Sequence, residues 1–175
     1  ITFDNYPIFQ DNKEKGDYRV LLWKQGLATD AVLALNQTNK DEVLRTIVQD
    51  KRFRYALSLG MNRDEIIQAV YLGMAEPSQV SPLPTSAHYW EDYAKWKIEY
   101  DPDQANAYLD EMGLTRRDAE GYRLMPDGNR LVIFWDYAAI FGAWRPCGEL
   151  VREHYRKVGI DLQLREVARQ LFYER

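Results

Sequence analysis

The sequence has little that could form a disulfide, a metal site or a nucleotide site. It contains one cysteine, Cys147, which excludes an intrachain disulfide and a multi-cysteine metal site. The two histidines, His88 and His154, have no second His or Cys at metal-ligand spacing, so we expect neither zinc nor haem. The glycines stand singly, as turn or cap residues do, and form no phosphate-binding loop. We therefore expect no cofactor.

The usual signs of catalysis are also missing. Cys147 lies on the apolar stripe of a predicted helix, and no serine stands in a nucleophile-elbow pattern. The carboxylate pairs Asp64–Glu65 and Asp110–Glu111 are adjacent on predicted helices, so their side chains point in different directions. The sequence therefore indicates a protein that is not an enzyme.

Charge and hydropathy argue against nucleic acid and against a membrane span. The net charge is -4, with 23 basic and 27 acidic residues, and the basic residues are scattered rather than clustered. No apolar run approaches the ~18 residues that a bilayer requires, so membrane association is expected only through an anchor outside this segment. The start, Ile1 to Asp4, has neither Met nor a signal pattern, which suggests a segment of a longer protein.

Capping residues and apolar spacing predict four helices. Each has a clear start or stop: an Asp or Asn cap, Pro at the first position, or Gly just after the end. The predicted helices run over residues 51–59, from Asn62 to Gly73, from Pro102 to Gly113 and from Pro146 to Val158. Between them, residues 76–99 contain three prolines and no periodicity, which predicts a long irregular segment of the kind that often carries function.

Strand patterns alternate with these helices. Short apolar runs at Val20–Trp23 and Ala31–Leu35 predict two strands, and alternation over Ile160 to Leu164 predicts another. Residues 122–125 and 131–135 flank an Asp-Gly turn, which predicts a β-hairpin. Together these elements predict one α/β (α+β) domain over residues 1–175, with a mixed sheet flanked by helices.

An aromatic and charged segment follows the predicted hairpin. It leaves a strand and leads into the last helix, at a strand end where open α/β sheets often bind ligands. The candidate ligand-binding residues are Trp135, Asp136, Tyr137, Trp144 and Arg145. A packed core strand with an aromatic loop is the alternative interpretation.

The string from Asp50 to Ile67 closely resembles the family 5 extracellular solute-binding proteins of ABC importers. One local departure is Gly60, where the family usually has Ala. Further matches follow in the same order along about Val32 to Val167: Leu35–Asn36, Leu72–Ala75, Tyr100–Pro102, Gly121–Arg123, Asp127–Gly128 and Val158–Ile160.

This resemblance implies the C-terminal lobe of a longer, two-lobed receptor with a type II periplasmic-binding-protein-like fold. Such a receptor encloses an oligopeptide between its lobes, delivers it to the membrane subunits of an ABC importer, and lies outside the cytoplasm, in the periplasm or as a cell-surface lipoprotein. In the peptide binders an acidic residue near the position of Asp136 can pair with the peptide amino terminus.

Two alternative functions stay open at this point. An oligosaccharide receptor of the same family would use Trp90, Trp135 and Trp144 as stacking platforms. A sensor domain of a cytoplasmic transcription regulator can be built on the same fold.

Overall fold

The computed structural model describes residues 5–22, 30–139 and 142–174. Within these ranges the elements are, in chain order, α1 (Tyr6–Asn12), α2 (Glu42–Gln49), α3 (Lys51–Leu59), α4 (Arg63–Tyr71), α5 (Glu91–Ala94), α6 (Pro102–Glu111), β1 (Val132–Tyr137), α7 (Trp144–Lys157), β2 (Asp161–Glu166) and α8 (Arg169–Glu174). The predicted α/β lobe is confirmed.

The sheet is a parallel pair connected by a helix. Strands β1 and β2 pair in register from Val132 opposite Asp161 to Tyr137 opposite Glu166. Helix α7 makes the crossover, because parallel strands cannot be joined by a tight turn. Its residues Val151 and Tyr155 are buried in the same core as Leu162 of β2. This core also receives the apolar faces of α2, α3 and α6.

The helix starts follow the predicted capping residues. The carboxylates of Asp50 and Asp101 and the amide oxygen of Asn62 each accept a hydrogen bond from a backbone N–H in the first turn of α3, α6 and α4, respectively. Glycines at positive φ follow the ends of α4, α6 and α7, where a side chain would strain the backbone. Residues 76–99 are irregular apart from the single turn of α5, as predicted.

The last long helix begins two residues earlier than predicted. Trp144 and Arg145 are its first residues rather than part of the preceding loop. Residue Ala143 at the N-cap position makes no side-chain hydrogen bond, so no capping residue in the sequence marked this start.

The two predicted N-terminal strands are wrong for the residues that the structure describes. Leu21 and Leu22 are exposed and in no strand, and Trp23 of that prediction lies outside the described residues. The segment 31–35 does have one side packed on the core, through Ala31, Leu33 and Leu35. The side chains of this segment therefore alternate between buried and exposed, although its backbone forms no β-ladder. The segment packs through its side chains and has no partner strand among the described residues.

The predicted hairpin is reduced to its turn. Gly128 has φ 90°, as the Asp-Gly turn requires, and Leu124 and Arg130 form one antiparallel bridge. Beyond Leu131, whose N–H donates to the carbonyl of Arg123, the chain pairs with β2 instead. The alternation of residues 131–135 therefore reflects a parallel strand.

Candidate functional site

A large open cleft of about 590 Å³ lies beside α4. Helix α4, the start of the 30–35 segment and the irregular segment 74–84 form its walls, and β1 and α7 form its floor. Apolar side chains predominate, and the lining also carries the charged residues Asp30, Arg63, Glu76 and Lys95. A mostly apolar cleft with few polar groups is the usual form of a small-solute site.

The floor of the cleft is formed by Trp135, Cys147 and Val151. A Cβ on Gly148 would lie 2.7 Å from a terminal methyl of Leu164 and 3.4 Å from the Trp135 ring. This glycine therefore lets α7 pack closely on the sheet. Burial raises the pKa of the Cys147 thiol, so the thiol stays protonated and is a poor nucleophile.

One end of the cleft carries the carboxylate of Asp30. The Tyr71 hydroxyl donates a hydrogen bond to Asp30 Oδ2 at 2.7 Å, and the thiol of Cys147 lies 3.7 Å from the same hydroxyl. Burial and the hydrogen bond to Asp30 raise the pKa of Tyr71, which keeps the phenol a donor. Trp144 Nε1 donates to the backbone carbonyl of Asp30 at 3.0 Å and so fixes this residue against α7.

The other end carries the guanidinium of Arg63, the first residue of α4. It donates to the carbonyl oxygens of Ser58 (2.8 Å) and Ile98 (3.2 Å) and to Ser58 Oγ (2.8 Å). Burial lowers the pKa of Arg63, and the charge of Glu99 only partly opposes this effect. Arg63 also lines an adjoining cavity of about 260 Å³.

The five predicted site residues do not come together in this cleft. Trp135 lines it from the floor and is only 7% exposed. Asp136 forms an ion pair with Arg165 at 2.7 Å, and the buried Tyr137 donates to Glu166 at 3.2 Å. Trp144 contacts the cleft residue Asp30.

The last of the five, Arg145, is exposed at the start of α7. Whether these five residues meet a ligand between two lobes stays a prediction.

The sequence analysis missed the polar residues of the cleft. Asp30 lies far along the chain from Arg63 and Tyr71 of α4, and no spacing in the sequence links it to that helix. The available signal was general: α4 and the irregular segment after it were both predicted, and long irregular segments often line sites.

Within the described residues, no group of three or more His, Cys, Asp or Glu side chains is arranged to hold a metal ion. None of the helices in the same ranges is long and apolar enough to cross a membrane.

Comparison with known proteins shows one consistent relationship. The family model for bacterial extracellular solute-binding proteins, family 5 Middle, matches residues 1–175. The structure of an oligopeptide-binding protein, OppA, superposes on 98% of this chain with a TM-score of 0.84 and 38% identity. The oligopeptide-binding protein AppA of Bacillus subtilis is 26% identical over 93% of the chain. The glutathione-binding protein GsiB of Pectobacterium atrosepticum is 32% identical over 62% of it.

All of these proteins are much longer than this chain. The chain spans 27% of the OppA structure, 29% of AppA and 20% of GsiB.

Proposed function

Because the chain belongs to family 5 of the bacterial extracellular solute-binding proteins, we propose that it is one lobe of the substrate-binding component of an ABC importer. In this proposal the receptor lies outside the cytoplasm, captures an oligopeptide by closure of two lobes and passes it to the importer's membrane subunits. Ligand binding shifts the receptor from its open to its closed form, because the ligand contacts both lobes only when they are closed.

The observation that carries this proposal is the open cleft beside α4. Its volume of about 590 Å³ lies within the range of small-ligand sites. Its lining is mostly apolar with a minority of polar and charged side chains, which suits the binding of a small solute. The protonated Cys147 thiol on the floor supports a role in binding rather than in catalysis.

The backbone of the cleft supports a peptide as the ligand. Residues 74–84 form no helix or strand, so many of their N–H and C=O groups are not committed to secondary structure. Such groups pair readily with the main chain of an extended peptide. The similar proteins OppA and AppA are named as oligopeptide-binding, which agrees with this choice.

The five residues of the aromatic segment keep a place in the proposal. Trp135 would contact the ligand from the floor, and Trp144 would act by holding Asp30. Asp136, Tyr137 and Arg145 would meet the ligand only from the side of the second lobe, because none of the three lines the cleft within this chain.

Calorimetry on the full-length protein tests the proposal. Unmodified peptides of two to five alanines should bind, whereas a hexasaccharide of mannose should not. Chromatography of the mixture should recover the peptides uncleaved. Tight binding of the saccharide with no peptide binding would contradict the proposal, and so would hydrolysis of the peptides.

An oligosaccharide receptor is the second candidate, favoured by one surface feature. Trp90 is 65% exposed, and its ring stacks on Tyr93 at 6.5 Å with an interplanar angle of 21°. Exposed flat rings of this kind can stack on sugars. The other two tryptophans predicted to stack on a sugar are less suitable, since Trp135 is buried and Trp144 is half-buried beside Phe172.

The full-length sequence would distinguish the third candidate, the sensor domain of a transcription regulator, from a receptor. A helix-turn-helix domain there would favour the regulator, and a signal or lipobox peptide would favour the receptor.

A further inference from the structure

We propose that residues 80–93 form a flap that closes over the solute in the cleft, and that Ser58 holds the base of this flap from outside the cleft. The inference rests on the proposed function, because it takes the cleft as the site of the transported solute. It adds a positioning residue, Ser58, and a segment of chain whose position controls how firmly the solute is held.

The flap lines the cleft but is weakly attached to the rest of the lobe. The flap residues that line the cleft are Ser81, Pro82, Leu83, Pro84 and Tyr89. None of residues 80–93 is buried, and none belongs to the hydrophobic core or packs against it. Within the described part of the chain, all their hydrogen bonds stay between positions 80 and 96, and none of them forms an ion pair. A segment with so few outside contacts moves easily as a unit.

The base of the flap is closed by Gln79. Its backbone N–H donates to the carbonyl of Ala94 at 2.8 Å, and its side-chain amide donates to the carbonyl of Trp96 at 2.7 Å. These two bonds join the chain just before the flap to the chain just after it. Residues 80–93 are therefore one loop with a single hydrogen-bonded base.

Ser58, in the last turn of α3, joins this base to the body of the lobe. Its hydroxyl donates to the carbonyl of Lys97 at 2.6 Å and accepts from the side-chain amide of Gln79 at 2.8 Å. The same oxygen accepts from the Arg63 guanidinium at 2.8 Å. The hydroxyl thus uses its one donor and both of its acceptor positions, and it contacts both sides of the base.

Lys97 fixes one side of the base on two helices. Its ammonium lies 5.2 Å from the centre of the Tyr55 ring of α3 and 5.0 Å from the centre of the Tyr108 ring of α6. These distances are within the range of cation–π contacts. The side of the base at Lys97 is therefore held by the helices, and the side at Gln79 is held by the Ser58 hydroxyl.

Ser58 and Gln79 act on the cleft without lining it. Both line the smaller adjoining cavity of about 260 Å³, and neither is among the residues of the cleft. Arg63, which does line the cleft, would keep its bonds to the carbonyl oxygens of Ser58 and Ile98 if the Ser58 hydroxyl were lost. An effect of either side chain on solute binding would therefore come through the flap.

Hydrogen exchange and calorimetry on the full-length protein test the proposal. Trialanine should slow the backbone amide exchange of residues 80–93, because the flap closes over the bound solute. Ser58→Ala should speed this exchange in the free protein. It should also weaken trialanine binding about three- to tenfold, which corresponds to the loss of one hydrogen bond. Thr46→Ala, which removes an exposed hydroxyl in α2, is the matched control and should change neither.

Gln79→Met repeats the test from the flap side and leaves all the bonds of Arg63 in place. It should have the same two effects as Ser58→Ala. The double variant should bind trialanine no more weakly than the weaker single variant, because both changes open the same base.

Two results would overturn this inference and leave peptide capture intact. One is flap exchange that responds neither to trialanine nor to the two variants. The other is a double variant in which the two losses of affinity add in full. Binding of no peptide at all would instead overturn the proposed function, and with it the role of the flap in holding the solute.

Discussion

His154 shows how one buried polar residue joins two helices of the lobe. It is 2% exposed on α7, and its Nε2 lies 2.9 Å from Glu65 Oε2 in the first turn of α4. Its Nδ1 accepts a hydrogen bond from the backbone N–H of Asn62 at 3.4 Å. With Nδ1 as acceptor, the ring must carry its proton on Nε2 and donate it to Glu65. His154 therefore holds the start of the helix that forms one wall of the cleft.

Replacing His154 by Leu should destabilise the fold by about 1–3 kcal/mol, because the Asn62 N–H and the Glu65 carboxylate would lose a buried partner. Urea unfolding measures this cost. His88→Asn is the control, since His88 is exposed, and it should change the free energy of unfolding by less than about 0.5 kcal/mol. Equal stability of His154→Leu and the unmodified protein would show that the two hydrogen bonds contribute nothing net.

The sequence predicted residues whose roles are local and missed those whose partners are distant. Asp50, Asn62 and Asp101 were recognised as caps because each bonds a backbone N–H two or three residues away. The partner of His154 on α4 is 89 residues away, and nothing in the local pattern indicates it. Asp30 was missed for the same reason, since Tyr71 is 41 residues from it.

At the scale of elements, the sequence predicted α3, α4, α6 and α7 and missed α1, α2, α5 and α8, and it placed β1 and β2 without predicting that they pair with each other. A helix satisfies its own hydrogen bonds, so caps and periodicity nearly fix its limits. A strand depends on its partner: segment 31–35 has the alternation of a strand but no ladder, whereas β1 pairs with β2 across the whole of α7. Helix ends marked by glycine were predictable, and Gly113 and Gly159 allow a matched comparison.

Gly159 and Gly113 end α7 and α6 with nearly the same backbone, at φ 80° and 81°. A Cβ at Gly113 would meet nothing within 4 Å, whereas at Gly159 it would meet the side chain of Arg117 and, at 3.0 Å, Cγ of the buried Arg123. Gly113→Ala should therefore cost about 1–2 kcal/mol from the left-handed backbone alone. Gly159→Ala should cost more, by about a further 1–3 kcal/mol of overpacking.

Thermal unfolding of the two glycine variants measures the difference. Equal costs would show that Arg117 and Arg123 move aside without loss. In that case the backbone conformation alone, and not the close approach of Arg117 and Arg123, would explain why position 159 requires glycine.

At the scale of the whole molecule, the fold class could be predicted because it follows from the order of elements. The family resemblance rested on the string around α3 and α4, most of whose residues cap helices or pack in the core. The cleft could not be predicted, because it is assembled from stretches of chain that lie far apart in the sequence. None of these stretches belongs to the proposed second lobe, so the cleft within this chain is only part of the proposed binding site.

The chain of 175 residues alone should bind peptide at least 100-fold more weakly than the full-length protein. The cleft is open on one side, so a bound peptide would keep much of its surface in water, whereas small-ligand sites usually bury 70–90% of the ligand. Closure of a second lobe would bury the rest and add contacts that exist only in the closed form. Calorimetry with trialanine on both proteins measures the ratio, after cooperative thermal unfolding has shown that the shorter chain is folded. Dissociation constants within threefold of each other would mean that this lobe holds the whole site, and closure would then have no part in the affinity.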